Sequence, residues 1–146
     1  MGRPDSESGY FKTTHLFCLP HLIRSQSDLI FVQLREERYL TGLDVISFSK
    51  RTAYHLSEIN ILHPFREGNG RTQREFIRCL GLKSGYVIDW AVADEKEFLE
   101  AMIDSAIRSE EKLAPIILSC IVSQKWLPTS PGSTPNYWQF LYVGLK

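Results

Sequence analysis

The segment HPFREGNGRTQR, residues 63–74, interrupts an otherwise helical pattern and decides how the helices around it are arranged. Pro64 stops the helix before it, because a proline ring biases the preceding residue towards extended backbone. Gly68 and Gly70 permit positive φ and carry no Cβ, so an anion can approach the backbone closely. The helix that follows begins with free N–H groups that point into the loop. The segment therefore predicts a phosphate-binding turn between two helices.

Charged and titratable side chains surround this turn. Arg71 and Arg74 are three residues apart on one helical face, and two cations at the positive end of a helix dipole are unfavourable unless an anion lies between them. Glu67 offers an oxygen ligand of the kind that Mg²⁺ combines with substrate phosphates. His63 carries an imidazole, which can take a proton from an attacking hydroxyl. Phosphoryl and nucleotidyl transfer need mainly these groups, and we expect Phe65 to pin the loop into the core.

Helical patterns flank the segment on both sides. The sequence predicts five helices: from Pro20 to about Arg38, from a Thr41 cap to the residue before His63, from the loop to residues 83–85, after an Asp94 cap, and over residues 112–124. Residues 10–18, YFKTTHLFC, are too short for a stable helix and favour a strand or small hairpin. The predicted fold class is all-α, with one short β-hairpin near the start of the chain.

The length of 146 residues fits one domain. Residues 1–9 contain little apolar material and are predicted to be disordered. Residues 10–124 are predicted to form the domain. Residues 125–146 change to a linker-like stretch rich in Pro, Ser and Gly, followed by an aromatic tail to which the sequence assigns no role.

The composition disfavours several classes of function. The 17 Lys and Arg balance the 17 Asp and Glu, so there is no cationic surplus for binding nucleic acid. The longest apolar run, residues 113–122, is too short to cross a bilayer. No secretory signal is visible, so we expect a cytoplasmic protein or one delivered into a host cell. Cys18, Cys79 and Cys120 are scattered, which argues against disulfides and a zinc site.

Residues 63–74 match every defined position of HPFx(D/E)GNGRxxR, and the chain therefore resembles the Fic (filamentation induced by cyclic AMP) family. The resemblance extends over residues 58–90, EINILHPFREGNGRTQREFIRCLGLKSGYVIDW, which look like bacterial members with a glutamate in the loop. Thr14, Phe17 and Pro20 are spaced as in the β-hairpin flap of the family. Residues 10 to about 123 fit the family.

The resemblance implies a mostly helical fold that transfers AMP from ATP to a Tyr, Thr or Ser hydroxyl of a target protein. It implies that His63 is the general base and that Glu67 holds Mg²⁺ between the α- and β-phosphates. The remaining phosphate contacts implied by the resemblance are an anion hole and two outer cations, formed by Gly68, Asn69, Gly70, Arg71 and Arg74.

The resemblance also implies partners. The flap would pair with the backbone of the target protein as an added strand, through Thr13, Thr14, His15, Leu16 and Phe17. Many members restrain themselves with a helix bearing (S/T)xxxE(G/N), which this sequence lacks, so we expect a separate, inhibitory, antitoxin-like protein or a missing segment. Members normally carry a helix before the flap, which here begins at Tyr10, so an N-terminally shortened member is expected.

Two alternatives stay open. The motif supplies groups that bind phosphates but almost none that would recognise the nucleobase. The same site could therefore transfer another nucleotide or a phosphate-containing group. The chain could also be an inactive module that binds phosphates or a partner protein.

Overall fold

The computed structural model describes residues 17–124, which form five α-helices and a two-stranded antiparallel sheet. The elements are α1 (Ile23–Glu36), α2 (Val45–Leu62), α3 (Asn69–Ser84), β1 (Tyr86–Ile88), α4 (Glu95–Ile107), α5 (Leu113–Cys120) and β2 (Ile121–Gln124). Short 3₁₀ turns lie at Pro20–Leu22, Arg38–Leu40, Trp90–Val92 and Glu110–Lys112. The predicted helical fold class is confirmed. The disordered residues predicted at 1–9, the hairpin before residue 17 and the tail from residue 125 lie outside the described residues.

The cap of α2 differs from the prediction. The carboxylate of Asp44 accepts hydrogen bonds from the backbone N–H groups of Ile46 and Ser47, both at 3.0 Å. The predicted cap at Thr41 is wrong because its hydroxyl donates instead to the carbonyl of Arg38, at 2.8 Å. This bond closes a left-handed turn in which φ of residues 38–40 is 53°, 54° and 61°, a conformation that L-residues disfavour.

The ends of α3 and the start of α4 follow their sequence signals. Gly85 ends α3 in the left-handed conformation, with φ of 88°, as expected for a glycine just after a helix. The carboxylate of Asp94 caps α4 by accepting from the N–H of Glu97 at 2.8 Å. Both predictions are confirmed, because the signals are local.

The sheet was not predicted. β1 pairs antiparallel with β2, with Tyr86 opposite Gln124 and Ile88 opposite Ile121. The helix predicted over residues 112–124 therefore ends at Cys120. The β-branched Ile121 and Val122 suit extended backbone, and the partner strand that completes the pairing comes from a distant part of the sequence.

The core lies around α2, which packs against α1, α3, α4 and α5. Its buried residues meet apolar side chains of the other elements, and the largest that are fully buried include Tyr86, Phe48, Leu34, Leu56, Ile77 and Ile117. α3 packs closely on β1 at Gly81, where an added Cβ would lie 2.8 Å from Cδ1 of Ile88. Within residues 17–124, no helix is both long and apolar enough to cross a membrane.

A polar cluster joins the end of α1 to the middle of α2. Nε of Arg51 donates to Glu37 at 3.0 Å, and Nε2 of His55 lies 3.3 Å from the same carboxylate. The side chain of His55 is 0% exposed, so it is packed inside the fold. Because a carboxylate only accepts, neutral His55 donates through Nε2, and its buried Nδ1 has no partner among the described residues.

Candidate functional site

The loop between α2 and α3 begins at His63, which ends α2 in the left-handed region with φ of 40° and ψ of 55°. A non-glycine residue in this region is strained, and such strain concentrates at functional sites. The residue before Pro64 cannot readily continue a helix, so the sequence forces the chain to turn here. His63 is thereby placed at the first position of the loop, where it is half-buried.

Asn69 holds the loop closed. Its Nδ2 donates to the carbonyl of Phe65 at 2.6 Å, and its Oδ1 accepts from the N–H of Phe65 at 3.0 Å. The residue is only 6% exposed. Asn69 was expected in the anion hole. Its role in closing the loop was not predicted, although an Asn between two glycines at a loop–helix junction is a signal for it.

The two glycines differ. Gly68 has φ of 80°, whereas Gly70 lies inside α3 and does not use the positive φ that a glycine permits. A Cβ on Gly70 would meet nothing within 4 Å. Gly70 is therefore not required by the backbone or by packing within the described residues, and its missing side chain leaves open space at the helix start.

The start of α3 carries unpaired donors. No side chain among the described residues caps the helix, and the first intrahelical bond runs from the N–H of Thr72 to the carbonyl of Gly68 at 3.0 Å. The hydroxyl of Thr72 also donates to this carbonyl. The N–H groups of residues 69–71 precede this bond and have no intrahelical acceptor, so a negative group is favoured here.

An open cleft of about 750 Å³ lies beside the helix start. Glu67, Gly68 and Arg71 line it together. Arg74 lines a smaller cavity of about 230 Å³ instead, next to Trp90, whose Nε1 donates to the Arg74 carbonyl at 2.9 Å. The structure thus brings three of the predicted phosphate and metal residues to one cleft and places Arg74 beside a neighbouring cavity.

Three charged groups at the site have no ion-pair partner in the described part of the chain. Within residues 17–124, none of Glu67, Arg71 and Arg74 takes part in an ion pair. By contrast, Glu75 on the wall of the cleft is bound by Arg78, which holds the pKa of its carboxyl below the ordinary value. The three unpaired groups remain available to a ligand.

Phe65 differs from the prediction. It was expected to pin the loop into the core, but it is 51% exposed. It lines the open cleft and also an apolar cavity of about 280 Å³ between α1 and α3. The loop is fastened by the backbone of Phe65, through Asn69, and this leaves the phenyl ring free to face solvent.

The described part of the expected flap contacts His63. The rings of Phe17 and His63 are stacked, with centroids 4.0 Å apart and an interplanar angle of 27°. No pattern in the sequence predicted that Phe17 contacts His63. The other expected flap residues, Thr13, Thr14, His15 and Leu16, lie outside the described residues.

The amino-acid sequence is similar to those of known proteins. The family model described as the Fic/DOC family matches residues 7–80. Protein adenylyltransferase VbhT of Bartonella schoenbuchensis is 44% identical over 95 residues, which are 65% of this chain and 20% of that protein. A protein of Escherichia coli named "Probable protein adenylyltransferase Fic" is 35% identical over 108 residues, which are 74% of this chain and 54% of that protein.

A solved structure shares the fold. The crystal structure of the N-terminal Fic domain of a VirB-translocated Bep effector protein from Bartonella quintana, with bound ADP, matches with a TM-score of 0.71 and 28% identity. The match covers 75% of this chain and 51% of that chain. The chain thus spans between a fifth and about half of the length of these proteins.

Proposed function

The chain belongs to the Fic/DOC family, and on this basis we propose that it transfers AMP from ATP to a Tyr, Thr or Ser hydroxyl of a target protein and releases pyrophosphate. The observation that carries the proposal is the loop at the start of α3, where Glu67, Gly68 and Arg71 share one cleft and His63 takes the first position. Relatives named protein adenylyltransferases and a related Fic domain that holds ADP support it.

In the proposed reaction, the hydroxyl oxygen of the target attacks the α-phosphorus of ATP. His63 accepts the hydroxyl proton as the oxygen–phosphorus bond forms. The bond from the α-phosphorus to the bridging oxygen breaks, and pyrophosphate leaves with the electron pair. A neutral hydroxyl is a weak nucleophile at neutral pH, and removal of its proton makes the oxygen a stronger one.

The phosphates would be held by backbone and cations together. The N–H groups of Asn69, Gly70 and Arg71 are the donors without intrahelical acceptors, and they lie at the positive end of the α3 dipole. The guanidinium of Arg71 reaches the same cleft. Arg74, one turn further, would bind the terminal phosphate. Donors fixed in this way stabilise the charge that develops during transfer without having to reorganise.

Magnesium fits the residues present. Glu67 is exposed, lines the cleft and is free of ion pairs with residues 17–124. One carboxylate together with substrate phosphates is a usual set of ligands for Mg²⁺. Glu67 would hold the ion beside the substrate phosphates. When bound, Mg²⁺ neutralises phosphate charge.

The partners follow from this function. The substrate is a protein, which would dock its backbone along residues 13–17 as an added strand. A separate inhibitory protein of the antitoxin kind would restrain the activity, and the site of action would be the cytoplasm, either of the producing cell or of a host cell. The inhibitory protein is proposed because the sequence lacks the (S/T)xxxE(G/N) pattern with which many family members restrain themselves.

A labelling experiment tests the proposal. The purified chain is incubated with Mg²⁺, ATP labelled at the α-phosphate and bacterial or host lysate, and labelled protein bands are sought. We expect bands with the wild type and with His21→Ala, which removes an exposed histidine of the Pro20–Leu22 turn, and none with His63→Ala. Bands of equal intensity with His63→Ala would refute the assigned base. Their absence from every sample, with ATP still bound, would favour the inactive binding module.

A further inference from the structure

The end of the expected flap is attached to the end of α2. The backbone N–H of Cys18 donates to the carbonyl of Ile61 at 2.8 Å. This carbonyl belongs to the last turn of α2, where carbonyl groups lack intrahelical donors. The bond fixes the backbone next to Phe17 against the last turn of α2, which leads into His63. The backbone of both residues that stack is therefore held in place.

Among the described residues, His63 has no hydrogen-bond partner of the kind that usually orients a catalytic histidine. In such sites one ring nitrogen acts on the substrate, and the other donates to a carboxylate or carbonyl that fixes the ring. The Nδ1 atom of His63 is buried and has no hydrogen-bond partner among the described residues. A target hydroxyl must therefore approach Nε2, and the ring needs another means of support.

We propose that Phe17 is a positioning residue for His63, an inference that rests on the proposed function. Stacking at 4.0 Å covers one face of the imidazole and limits its rotation. Once His63 has accepted the proton, its ring is a cation lying on an aromatic face, and this attraction is absent from the neutral ring. The contact thus favours the state in which the proton has moved, so it acts on the rate and not on ATP binding.

This role differs from target docking. The expected docking strand binds through its backbone, whereas the Phe17 ring faces the catalytic loop. Phe17 would therefore join the docking strand to the base, and the strand's last side chain would set the orientation of the imidazole.

The test separates aromatic stacking from apolar volume. Phe17→Leu keeps an apolar side chain without the aromatic face, Phe17→Trp keeps a face, and Phe31→Ala removes a distant aromatic that packs on Phe76. Transfer from α-labelled ATP, to the chain itself and to lysate proteins, is measured at varied ATP concentrations. NMR follows the His63 ring protons, which a stacked ring shifts upfield.

We expect Phe17→Leu to lower the maximal rate about tenfold, with the KM for ATP and the Tm almost unchanged and the upfield shift lost. Phe17→Trp should restore both rate and shift, and Phe31→Ala should resemble the wild type. Equal rates for Phe17→Leu and wild type, with His63→Ala inactive, would overturn this inference alone, as would a loss confined to KM. A wild type that transfers no AMP would overturn the proposed function, and this inference with it.

Discussion

Asn69 and Phe65 are joined by a pair of hydrogen bonds that satisfies both backbone polar groups of Phe65 with one side-chain amide. The pair closes the loop that connects the end of α2 to the start of α3. Because Asn69 is also the first residue of α3, the same side chain that shapes the loop fixes the position of the free N–H groups. Loop geometry and anion binding therefore depend on one residue.

Asn69→Asp should damage both properties. A carboxylate still accepts from the N–H of Phe65 but cannot donate to its carbonyl, and it adds negative charge beside the anion site. We expect a loss of about 1–3 kcal/mol in the free energy of unfolding, measured by urea denaturation, and loss of ATP binding by calorimetry. The control is Asn60→Asp, whose amide donates to the Met102 carbonyl away from the loop. It should lose stability yet bind ATP, and unchanged ATP affinity in Asn69→Asp would contradict the account.

Gly70→Ala should separate binding from stability. Nothing lies within 4 Å of the new methyl group, and alanine is favoured over glycine in a helix by about 0.5–1 kcal/mol. We expect unchanged or higher stability and an ATP affinity reduced about tenfold or more, because the methyl occupies space in front of the donors.

Gly81→Ala is the matched control on the same helix. Its methyl would lie 3.0 Å from the carbonyl oxygen of Tyr86 and closer still to Ile88. We expect a loss of about 1–3 kcal/mol in stability with ATP affinity retained. Tight ATP binding by Gly70→Ala would show that no phosphate approaches this backbone.

Arg74→Ala should weaken ATP binding about tenfold, since a charge-assisted bond to phosphate contributes about 1.5–3 kcal/mol. The fold should tolerate the change, because the bond from Trp90 goes to the backbone carbonyl of Arg74 and survives it. Calorimetry and the Tm measure the two effects. Lys83→Ala removes a cation at the far end of α3 and should leave affinity unchanged. Wild-type affinity in Arg74→Ala would remove this residue from the site.

Stability should fall as the pH is lowered from 7 to 5. Burial lowers the pKa of His55 below its ordinary value of 6.5, against the opposing effect of Glu37. The unfolded chain therefore takes up a proton first, so the contribution of His55 is complete above pH 6.5 and is lost as the pH falls towards its folded pKa. Arg51 lowers the pKa of Glu37 below 4.5, which adds a further loss in more acidic solution.

Urea denaturation at pH 7 and pH 5.5 checks the histidine effect. His55→Gln does not titrate but can still donate to Glu37, so its stability should change less between these pH values than that of the wild type. His21→Ala, at an exposed position, should keep the wild-type dependence. A wild type that is as stable at pH 5.5 as at pH 7 would contradict the assignment.

Local signals predicted the helices and the loop well. Gly85 and Asp94 mark helix ends in the sequence and act as such in the structure. The Gly68 turn and the placement of Glu67 and Arg71 around it follow from spacing along one short segment, because a loop and the first turn of a helix leave few geometric choices.

Features that depend on distant residues escaped prediction. The β1–β2 pair joins Tyr86 to Gln124, and no periodicity in residues 112–124 distinguishes a helix end from a strand that finds such a partner. The stacking of Phe17 on His63 likewise joins positions far apart in the sequence. The exposure of Phe65 was missed because hydrophobicity alone suggests burial, whereas its backbone bonds to Asn69 decide where the ring lies.

The direct test of AMP transfer compares two labels. ATP labelled at the α-phosphate and ATP labelled at the γ-phosphate are incubated separately with the chain, Mg²⁺ and lysate, and protein-bound label is counted. Attack at the α-phosphorus leaves AMP on the target hydroxyl and releases both outer phosphates. The account therefore predicts more α-derived label than in lysate without the chain, no added γ-derived label, and loss of the added α-derived label in His63→Ala. Added γ-derived label with the wild type, above that of lysate alone, would mean phosphoryl transfer and would contradict the account.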